Sequence, residues 1–322
     1  MKVMLASIEG EAYFDLIDEL GEVQIPGLEV VRAGTPAEVE AGIGDVEVLY
    51  GFPGAGAIAK AERLRWIQSP GAGVDWVARV PGLVENDGIV VTNTRGAHAP
   101  SIAEHVFGLL LALTRGVPQS LAWQRDRHWG RDESYRTLRE IKGSTMGILG
   151  FGAIGRAIAR RAQAFEMSVI ALDAHAVEAG PELDEVLTGD RLPELLAGSD
   201  VVVVTVPYSG ATHHLLDAER LGMMRKDAYL IAISRGGIVE EGALAALLTS
   251  GQLAGAGLDV TETEPLPADS PLWDVPNLIL TPHVAGASGP KERRCVEIFR
   301  ENLTRYAAGD ELVNVVDKRR GY

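Results

Sequence analysis

Three side chains in the second half of the sequence have the chemistry to move a proton and to hold an anion. His283 can exchange a proton near neutral pH, and a carboxylate such as Glu264 beside the imidazole would favour its protonated form and fix its orientation. Arg235 can bind a carboxylate through two parallel hydrogen bonds and polarise an adjacent carbonyl. Such a trio suits hydride transfer between a hydroxy acid and a keto acid, in which a proton moves at oxygen while hydride moves at carbon.

The elements that precede these residues would bring them together. Each of the three follows a predicted strand, and these strands cover residues 230–233, 256–260 and 278–280. The carboxyl ends of parallel strands meet at one edge of a sheet, which is where open α/β sheets bind ligands. Any one of the three residues alone could simply be a solvated loop residue, so the interpretation depends on all three occurring together.

A glycine-rich stretch, residues 143–173, has the order of a dinucleotide-binding βαβ unit. A predicted strand over 146–149 leads into the glycine turn 150–155, and apolar residues at helical spacing follow that turn. A second predicted strand over 169–172 then leads directly to Asp173. Strand, glycine turn, helix, strand and acid therefore occur in the order that such a unit requires.

The three glycines of this turn, Gly150, Gly152 and Gly155, have different predicted roles. The first permits a tight turn, the second lets the backbone approach a pyrophosphate, and the third lets helix and strand pack closely. Asp173 would accept hydrogen bonds from an adenosine ribose and repel a 2′-phosphate, which predicts NAD rather than NADP. With 37 glycines among 322 residues, GxGxxG arises by chance in about every second chain, so the flanking elements carry the prediction.

The composition disfavours several classes of protein. Hydrophobic residues make up 46% and charged residues 23% of the 322 residues, which is typical of a globular chain long enough for two domains. A net charge of −15 disfavours nucleic acid or anionic membranes as partners, and the basic cluster 318–320 is interpreted as a solvated tail. Cys295 is the only cysteine, which excludes an intramolecular disulfide or a cysteine-built zinc site, and we predict no metal site. Without a membrane-length apolar stretch or a signal peptide, we expect a cytoplasmic protein.

The first hundred residues alternate predicted strands and helices, which indicates a parallel sheet with helices on both faces. The predicted elements are strands at 3–8, 29–33, 46–50, 65–68 and 89–92, and a helix at 12–20. After the fourth strand, the turn 69–75 contains consecutive small residues whose N–H groups could bind an anion. A plain structural turn is an equal alternative on these residues alone.

A helix predicted from Pro100 would link the first domain to the second. Ser101 and Glu104 have the spacing of a capping box at its start. His105 on this helix is interpreted as a packed interdomain residue rather than a catalytic one. The following segment, residues 117–142, is rich in aromatic side chains and suggests a homodimer arm, with a local lid as the alternative.

The alternation of strand and helix resumes after the glycine-rich stretch. A strongly β-branched run over 201–206 predicts a central strand, and helical spacing over 241–248 precedes the strand that leads toward Glu264. A last predicted helix at 293–307 would pack back on the first domain. The first domain would then be discontinuous in sequence.

Four motifs occur in an order and spacing typical of one family. The sequence contains LGFGAIG, ISRGGIVEEGAL, GAGLDVTETEPLP and NLILTPHVAG, which resemble the motifs of the D-isomer-specific 2-hydroxyacid dehydrogenases over nearly the whole chain. The resemblance implies an α/β fold with two doubly wound parallel-sheet domains. A Rossmann NAD-binding domain, residues 99–286, would be inserted into a discontinuous flavodoxin-like substrate-binding domain, residues 1–98 plus 287–322.

The resemblance also implies roles for individual residues. Arg235 would bind the substrate carboxylate and carbonyl, His283 would be the acid/base, and Glu264 would be its partner. The backbone amides of Ala72 and Gly73 would form a carboxylate clamp for the substrate. The implied cofactor-binding residues are Gly150, Phe151, Gly152, Ala153, Ile154, Gly155, Asp173, Val206, Pro207, Ile233, Ser234, Arg235, Asp259 and His283.

Within this cofactor set, the family pattern distinguishes two regions. Asp259 would contact the nicotinamide amide, while Val206 and Pro207 would line the adenine pocket. Two positions depart from the pattern. Ala232 stands where the family often has asparagine, and His175 is an unusual residue that could touch the adenosine side.

These observations predict an NAD(H)-dependent oxidoreductase that transfers hydride between nicotinamide and C2 of a small 2-hydroxy or 2-keto acid, similar to a glyoxylate or hydroxypyruvate reductase. The family resemblance also implies a homodimer. One alternative is an NADH-sensing, protein-binding module similar to a transcriptional corepressor, against which the acidic balance of the chain argues. Another is a related dehydrogenase that acts on a different small anion, such as phosphite. Formate is disfavoured because formate dehydrogenases of this type lack a partner equivalent to Glu264.

Overall fold

The computed structural model describes residues 1–6, 25–54, 56–135, 137–175 and 180–321. The chain divides into two compact units, Met1–His98 with Ser288–Tyr322, and Ala99–Ala287. The helix predicted at 12–20 lies outside the described residues. Among the described helices, none is both long enough and apolar enough to cross a membrane.

The first unit contains a five-stranded parallel sheet. Its strands are β1 (Lys2–Ala6), β2 (Glu29–Ala33), β3 (Val48–Tyr50), β4 (Trp66–Gln68) and β5 (Val90–Thr92). Their spatial order is β2-β1-β3-β4-β5, which is the flavodoxin-like order with its reversal between β1 and β3. The helices between these strands are α1 (Pro36–Gly42) and α2 (Ala57–Lys60). Thr35 starts α1, because its hydroxyl oxygen accepts a hydrogen bond from the Glu38 N–H at 3.2 Å.

The second unit contains a seven-stranded parallel sheet. Its strands are β6 (Thr145–Leu149), β7 (Ser168–Asp173), β8 (Glu185–Thr188), β9 (Val201–Val204), β10 (Tyr229–Ala232), β11 (Gly255–Leu258) and β12 (Leu278–Leu280). Their spatial order is β12-β11-β10-β9-β6-β7-β8, so the strand order reverses between β6 and β9. Open α/β sheets bind ligands at the carboxyl end of such a reversal.

Helices cover both faces of the second sheet. They are α3 (Ala99–Thr114), α4 (Val117–Asp126), α5 (Arg131–Ser134), α6 (Ala153–Ala164), α7 (Leu192–Gly198), α8 (Ala218–Gly222) and α9 (Glu241–Thr249). Apolar residues of α3 and α6 pack on one face, where Met146 and Ile148 of β6 point. Leu149 and the apolar residues of α7, α8 and α9 form the core on the other face. All four residues of β9 are buried, as expected for a central strand of a parallel sheet.

The last helix returns the chain to the first unit. This helix, α10 (Gly289–Ala308), starts at Ser288, whose hydroxyl accepts the Lys291 N–H at 3.2 Å. Its apolar side packs Phe299 and Leu303 into a core with residues of β1, β3 and β4. The first unit is therefore built from two separate stretches of sequence, and the predicted fold class of two parallel-sheet α/β domains is confirmed.

Most of the predicted strands are confirmed with small changes at their ends. The β-branched strand stops at Val204 rather than at Val206, because the hydroxyl of Thr205 turns back to bond carbonyls at the end of β6. Strand β8 and helix α7 were not predicted. The helical spacing of Leu192, Leu195 and Leu196 was a usable signal that the prediction missed, whereas the four-residue strand β8 is too short to show a clear period.

Two local predictions are wrong. Helix α3 begins at Ala99, so Ser101 and Glu104 lie inside it and form no capping box. The hydroxyl of Ser101 donates instead to the carbonyl of Gly286 at 3.3 Å, and Glu104 pairs with an arginine of α6 at 3.0 Å. The basic C-terminal cluster is also not simply solvated, since the Lys318 ammonium donates to the Ile89 carbonyl at 2.8 Å. Burial there lowers the pKa of Lys318.

A buried polar network joins α10 to the sheet of the first unit. The Thr92 hydroxyl accepts from the Trp66 indole at 2.7 Å and donates to the Gln68 amide oxygen at 2.8 Å. The Asn302 amide donates to the same Gln68 oxygen at 3.1 Å and exchanges two hydrogen bonds with the Val313 backbone, at 2.7 and 3.0 Å. Asn302 is itself fully buried, and its side-chain amide pairs with the N–H and the carbonyl of the partly buried Val313.

We predict that Asn302→Ala lowers the free energy of unfolding by about 2–3 kcal/mol, because buried backbone groups lose their partners. Urea denaturation followed by circular dichroism measures this change. The matched control is Glu301→Ala on the exposed side of the same helix, which should change stability by less than about 0.5 kcal/mol. Equal stability of the two variants would contradict the structural role given to Asn302.

Candidate active site

The glycine turn after β6 is shaped by contacts that only glycine permits. Gly150 has φ +91°, and a Cβ there would lie 2.9 Å from the Thr205 hydroxyl oxygen. A Cβ at Gly155 would lie 2.5 Å from the Gly150 carbonyl oxygen, so the first turn of α6 packs directly on the strand end. Gly152 has open space where its Cβ would be, with no heavy atom of the described residues within 4 Å. The backbone at Gly152 is therefore accessible to a ligand at the start of α6.

Asp173 is tied to this turn. It is the last residue of β7, and its Oδ2 accepts the backbone N–H of Phe151 at 2.7 Å. Its Oδ1 accepts the backbone N–H of His175 at 2.9 Å. The carboxylate is partly exposed, so it can still accept hydrogen bonds from a ligand.

Thr205 supports the turn from the neighbouring strand and was not singled out by the sequence. Its hydroxyl lies 2.6 Å from the carbonyl oxygen of Gly150 and 2.9 Å from that of Leu149. Val206 and Pro207 follow directly, at the carboxyl end of β9. These residues and the glycine turn thus border the strand-order reversal of the sheet.

The loop after β10 carries Ser234 and Arg235. The Ser234 hydroxyl oxygen is buried and has no hydrogen-bond partner among the described residues. The Arg235 guanidinium donates to the Ser234 carbonyl at 2.7 Å. A Cβ at Gly236 would lie 1.9 Å from the Thr261 carbonyl oxygen, so this loop lies against the loop after β11. Ile233, which precedes the pair, is buried in the core.

Glu264 and His283 are in direct contact. Nδ1 of His283 and Oε2 of Glu264 are hydrogen-bonded at 2.8 Å, with 45% and 38% of the two side chains exposed. A carboxylate only accepts, so Nδ1 carries the hydrogen and Nε2 is the nitrogen left for proton exchange. The other oxygen of Glu264 accepts the Thr261 N–H at 3.1 Å, which fixes the carboxylate within its loop.

Asp259 organises the turn that holds His283. Its carboxylate is 1% exposed and accepts the Thr281 hydroxyl at 2.6 Å and the N–H groups of Val284 and Ala285 at 3.0 and 2.8 Å. The His283 N–H also donates to the Asp259 backbone carbonyl at 2.8 Å. His283 adopts φ +54° within this turn. The structure thus gives Asp259 a positioning role that the sequence did not predict, and its contact with a nicotinamide amide stays a prediction.

His105 is packed inside the second unit. Its Nε2 lies 2.9 Å from the Thr281 hydroxyl, which itself donates to Asp259. Because that hydroxyl uses its hydrogen on the carboxylate, its oxygen accepts from His105. His105 therefore extends the hydrogen-bond chain behind the His283 turn.

The candidate site is rich in negative charge around the loop after β11. Burial raises the pKa of the Glu241 carboxyl, and the nearby negative charges of Glu262 and Glu264 also raise it. The Glu262 backbone N–H acts in the opposite direction, since it donates to Glu241 at 2.6 Å. Glu264 is therefore one of three neighbouring carboxylates, and His283 is the base that contacts it.

In the first unit, the turn after β4 is held by two side chains that directly follow β5. The Asn93 amide donates to the Ala72 carbonyl at 2.9 Å, and the Thr94 hydroxyl donates to the Pro70 carbonyl at 2.9 Å. Within the described residues, the N–H groups of Ala72 and Gly73 donate to no protein acceptor. These N–H groups lie at the carboxyl end of β4 and remain available to an anion.

The chain offers several features that fit a nicotinamide dinucleotide. The open space at Gly152, the amino end of α6, the partly exposed Asp173 and the unpartnered Ser234 hydroxyl all lie at the carboxyl edge of the second sheet. Arg235, Glu264 and His283 follow three adjacent strands at that same edge. The structure therefore brings together the glycine turn with Asp173, and Glu264 with His283.

Comparisons with known proteins identify the family of this chain. Residues 107–285 match the family model "D-isomer specific 2-hydroxyacid dehydrogenase, NAD binding domain". A D-3-phosphoglycerate dehydrogenase of Methanocaldococcus jannaschii is 32% identical over 98% of this chain, which spans 59% of that relative. A glyoxylate reductase of Thermofilum pendens is 36% identical over 72% of this chain and 69% of its own length.

A solved structure supports the same relationship. The glyoxylate/hydroxypyruvate reductase of Sinorhizobium meliloti, in complex with NADP and sulfate, has a TM-score of 0.85 with this chain at 27% identity. The similarity covers 100% of both chains. With a family match over more than half of its residues and close relatives along nearly all of them, the chain belongs to the D-isomer specific 2-hydroxyacid dehydrogenase family.

Proposed function

We propose that this chain is an NAD(H)-dependent oxidoreductase that transfers hydride between nicotinamide and C2 of a small 2-hydroxy or 2-keto acid. The observation that carries the proposal is the hydrogen bond between His283 and Glu264 at the sheet edge that also holds the glycine turn. The glyoxylate reductases among its relatives support a short substrate side chain. The proposal covers both directions of the reaction.

In the proposed mechanism, His283 is the acid/base. For reduction of a keto acid, protonated His283 donates its Nε2 proton to the carbonyl oxygen, and for oxidation neutral His283 accepts the hydroxyl proton. Bound NADH or NAD supplies or receives the hydride. Glu264 accepts the Nδ1 hydrogen, so it keeps the ring oriented and stabilises the imidazolium that forms in the oxidative direction.

Arg235 would bind the substrate carboxylate and polarise the adjacent carbonyl. It follows β10, the strand beside β11, and its loop lies against the loop that leads to Glu264. A guanidinium suits a carboxylate because its donors form a planar fork. We further propose that the backbone N–H groups of Ala72 and Gly73 bind a carboxylate, since they have no protein acceptor within the described residues.

We propose NAD rather than NADP as the cofactor. Asp173 presents a negative charge beside the glycine turn and is held there by the Phe151 N–H. A 2′-phosphate at this position would be repelled by the carboxylate, whereas ribose hydroxyls could donate to it. The Sinorhizobium meliloti relative was solved with NADP, so the preference within the family has to be tested for each chain.

We also propose a homodimer formed through residues 117–142. Helix α4 has no buried residue, and Trp129, Tyr135 and Leu121 are 88%, 70% and 51% exposed. A concentration of exposed aromatic and aliphatic side chains is typical of a protein interface. The cytoplasmic location expected from the sequence stays a prediction.

The first experiment measures NADH oxidation with a panel of small 2-keto acids, including glyoxylate and hydroxypyruvate, and phosphite oxidation with NAD. We expect turnover with at least one keto acid, and we expect His283→Ala to lower kcat by about 10²–10⁴-fold while NADH binding is kept. Arg235→Ala should lower kcat/KM for the same substrate.

Arg225→Ala is the matched control, because Arg225 precedes β10 at the opposite edge of the sheet. Its activity should equal that of the unmodified protein. Full activity of Arg235→Ala, or turnover of phosphite alone, would contradict the assigned substrate or residue roles. Silence across the whole panel with intact NADH binding would favour the protein-binding alternative.

We predict that kcat/KM is higher with NADH than with NADPH, and that Asp173→Asn reduces this ratio by at least about tenfold. Asparagine keeps the shape and one acceptor oxygen for the Phe151 N–H but removes the charge that repels a 2′-phosphate. Steady-state kinetics with both cofactors measure the ratio. A preference of the unmodified protein for NADPH would show that Asp173 does not set the choice.

We predict that the protein is a dimer in solution and that Trp129→Asp weakens dimerisation by at least about tenfold, because aromatic anchors dominate interface energies. Sedimentation velocity over a range of concentrations measures the dissociation constant. Trp273→Asp is the control, since Trp273 is also exposed, at 55%, but lies outside residues 117–142. A monomeric unmodified protein, or equal effects of both variants, would contradict the proposed arm.

A further inference from the structure

Two consecutive histidines and a glutamate form a cluster beside the candidate active site. His213 and His214 lie in the loop after β9, and Glu262 lies in the loop after β11. One nitrogen of each ring and one oxygen of the carboxylate all lie within 4.8 Å of one another. The sequence did not indicate this cluster, because 48 positions separate His214 from Glu262.

The backbone places both imidazoles on the same side of the chain. In a β-strand successive side chains point to opposite faces, but His213 and His214 lie in a turn, where this alternation does not apply. His214 has φ +48°, and its N–H donates to the Gly237 carbonyl at 2.7 Å. The two rings are consequently stacked, with centroids 4.0 Å apart and planes inclined by 24°. A positive φ at a residue other than glycine is uncommon and marks a position where function is worth seeking.

Glu262 faces these rings from the neighbouring loop. Its carboxylate is hydrogen-bonded to Nε2 of His214, and its backbone N–H is held by Glu241 at 2.6 Å. Gly237 lies between the two loops, and a Cβ there would be 3.6 Å from both His213 Nδ1 and Glu262 Cγ. The three candidate ligands therefore come from two separate loops and face a common space.

We propose that His213, His214 and Glu262 bind one divalent transition-metal ion of the zinc type. Two imidazoles and a carboxylate form a ligand set that suits Zn²⁺, with water completing a tetrahedron, whereas Mg²⁺ and Ca²⁺ prefer oxygen ligands alone. The His214 and Glu262 side chains are 37% and 40% exposed, so an ion can reach them and they can adjust to bonds of about 2.0–2.2 Å. The proposed site differs from the sequence prediction of no metal site, which was based on the presence of a single cysteine.

Charge in the surroundings favours a cation. Glu241 contacts the Glu262 backbone, and Glu264 lies two positions further along the same loop. A bound cation reduces the repulsion among these carboxylates. It also links the loop after β9 to the loop that carries Glu264, so the ion stabilises the folded arrangement of both loops. This proposal does not depend on the proposed reaction, because metal binding is measured without substrate or cofactor.

The test is equilibrium dialysis of the full chain against ZnSO₄ at neutral pH, followed by metal analysis. We expect one tightly bound Zn²⁺ per chain, and we expect His213→Ala and Glu262→Gln each to weaken binding by at least about tenfold, since even outer-shell partners contribute about 10- to 100-fold. At the same zinc concentration, zinc should also raise the Tm of the unmodified protein by more than that of the two variants. The Tm of each variant without zinc verifies that it is folded.

His128→Ala is the matched control for metal binding. His128 forms an exposed pair with Glu133 at 3.1 Å but belongs to no group of three ligands among the described residues. It should bind zinc as the unmodified protein does, and so should His283→Ala. Zinc binding that is as tight in His213→Ala and Glu262→Gln as in the unmodified protein, that is lost in His283→Ala, or that excess MgCl₂ displaces would overturn the proposal.

Discussion

The candidate active site depends on one buried carboxylate. Asp259 is 1% exposed, and an ionised group so deeply buried is tolerated only when hydrogen bonds replace its hydration. The Thr281 hydroxyl and the N–H groups of Val284 and Ala285 supply these bonds, and all three lie in the turn after β12. The carboxylate therefore determines the path of that turn and, with it, the position of His283. The position of His283 Nε2, the proposed proton-exchanging atom, thus follows from a charge that is almost entirely removed from solvent.

The sequence predicted the features of this site that follow from strand patterns. It missed those that depend on hydrogen bonds between residues far apart in sequence. The placement of His283, Glu264 and Arg235 at one sheet edge could be predicted, because each follows a recognisable strand and parallel strands end at a common edge. Their chemical roles stay predictions. The positioning role of Asp259 could not be found, because its partners are 22 to 26 positions away and backbone N–H groups leave no trace in sequence. Thr205 was missed for the same reason, since a threonine after a strand is ordinary until its contact with the glycine turn is known.

In the first unit, too, the strands could be predicted from nearby residues, whereas contacts between distant residues could not. Its parallel strands could be predicted from apolar runs, and the small residues near Ala72 marked a turn that could accept an anion. What holds the turn was not visible, because Asn93 supports it by side-chain bonds to a carbonyl 21 positions away. The hydrogen bond from Asn302 to Gln68 joins residues that are 234 positions apart and connects α10 to β4. Buried amides of this kind look like surface residues in a sequence until the fold gives them partners.

The carboxyl edge of the second sheet carries both proposed ligand sites, on loops that are hydrogen-bonded to one another. The loop after β11 carries Glu264, which contacts His283, and also Glu262, which contacts His214 from the loop after β9. Two ligands that favour the same arrangement of this loop strengthen each other's binding, because the coupling free energy between linked sites is reciprocal. Ligands with no preference between arrangements would leave the loop unaffected, however tightly they bind. Coupling between the proposed metal site and the proposed catalytic pair would therefore depend on the differential stability of one short segment, from Thr261 to Glu264.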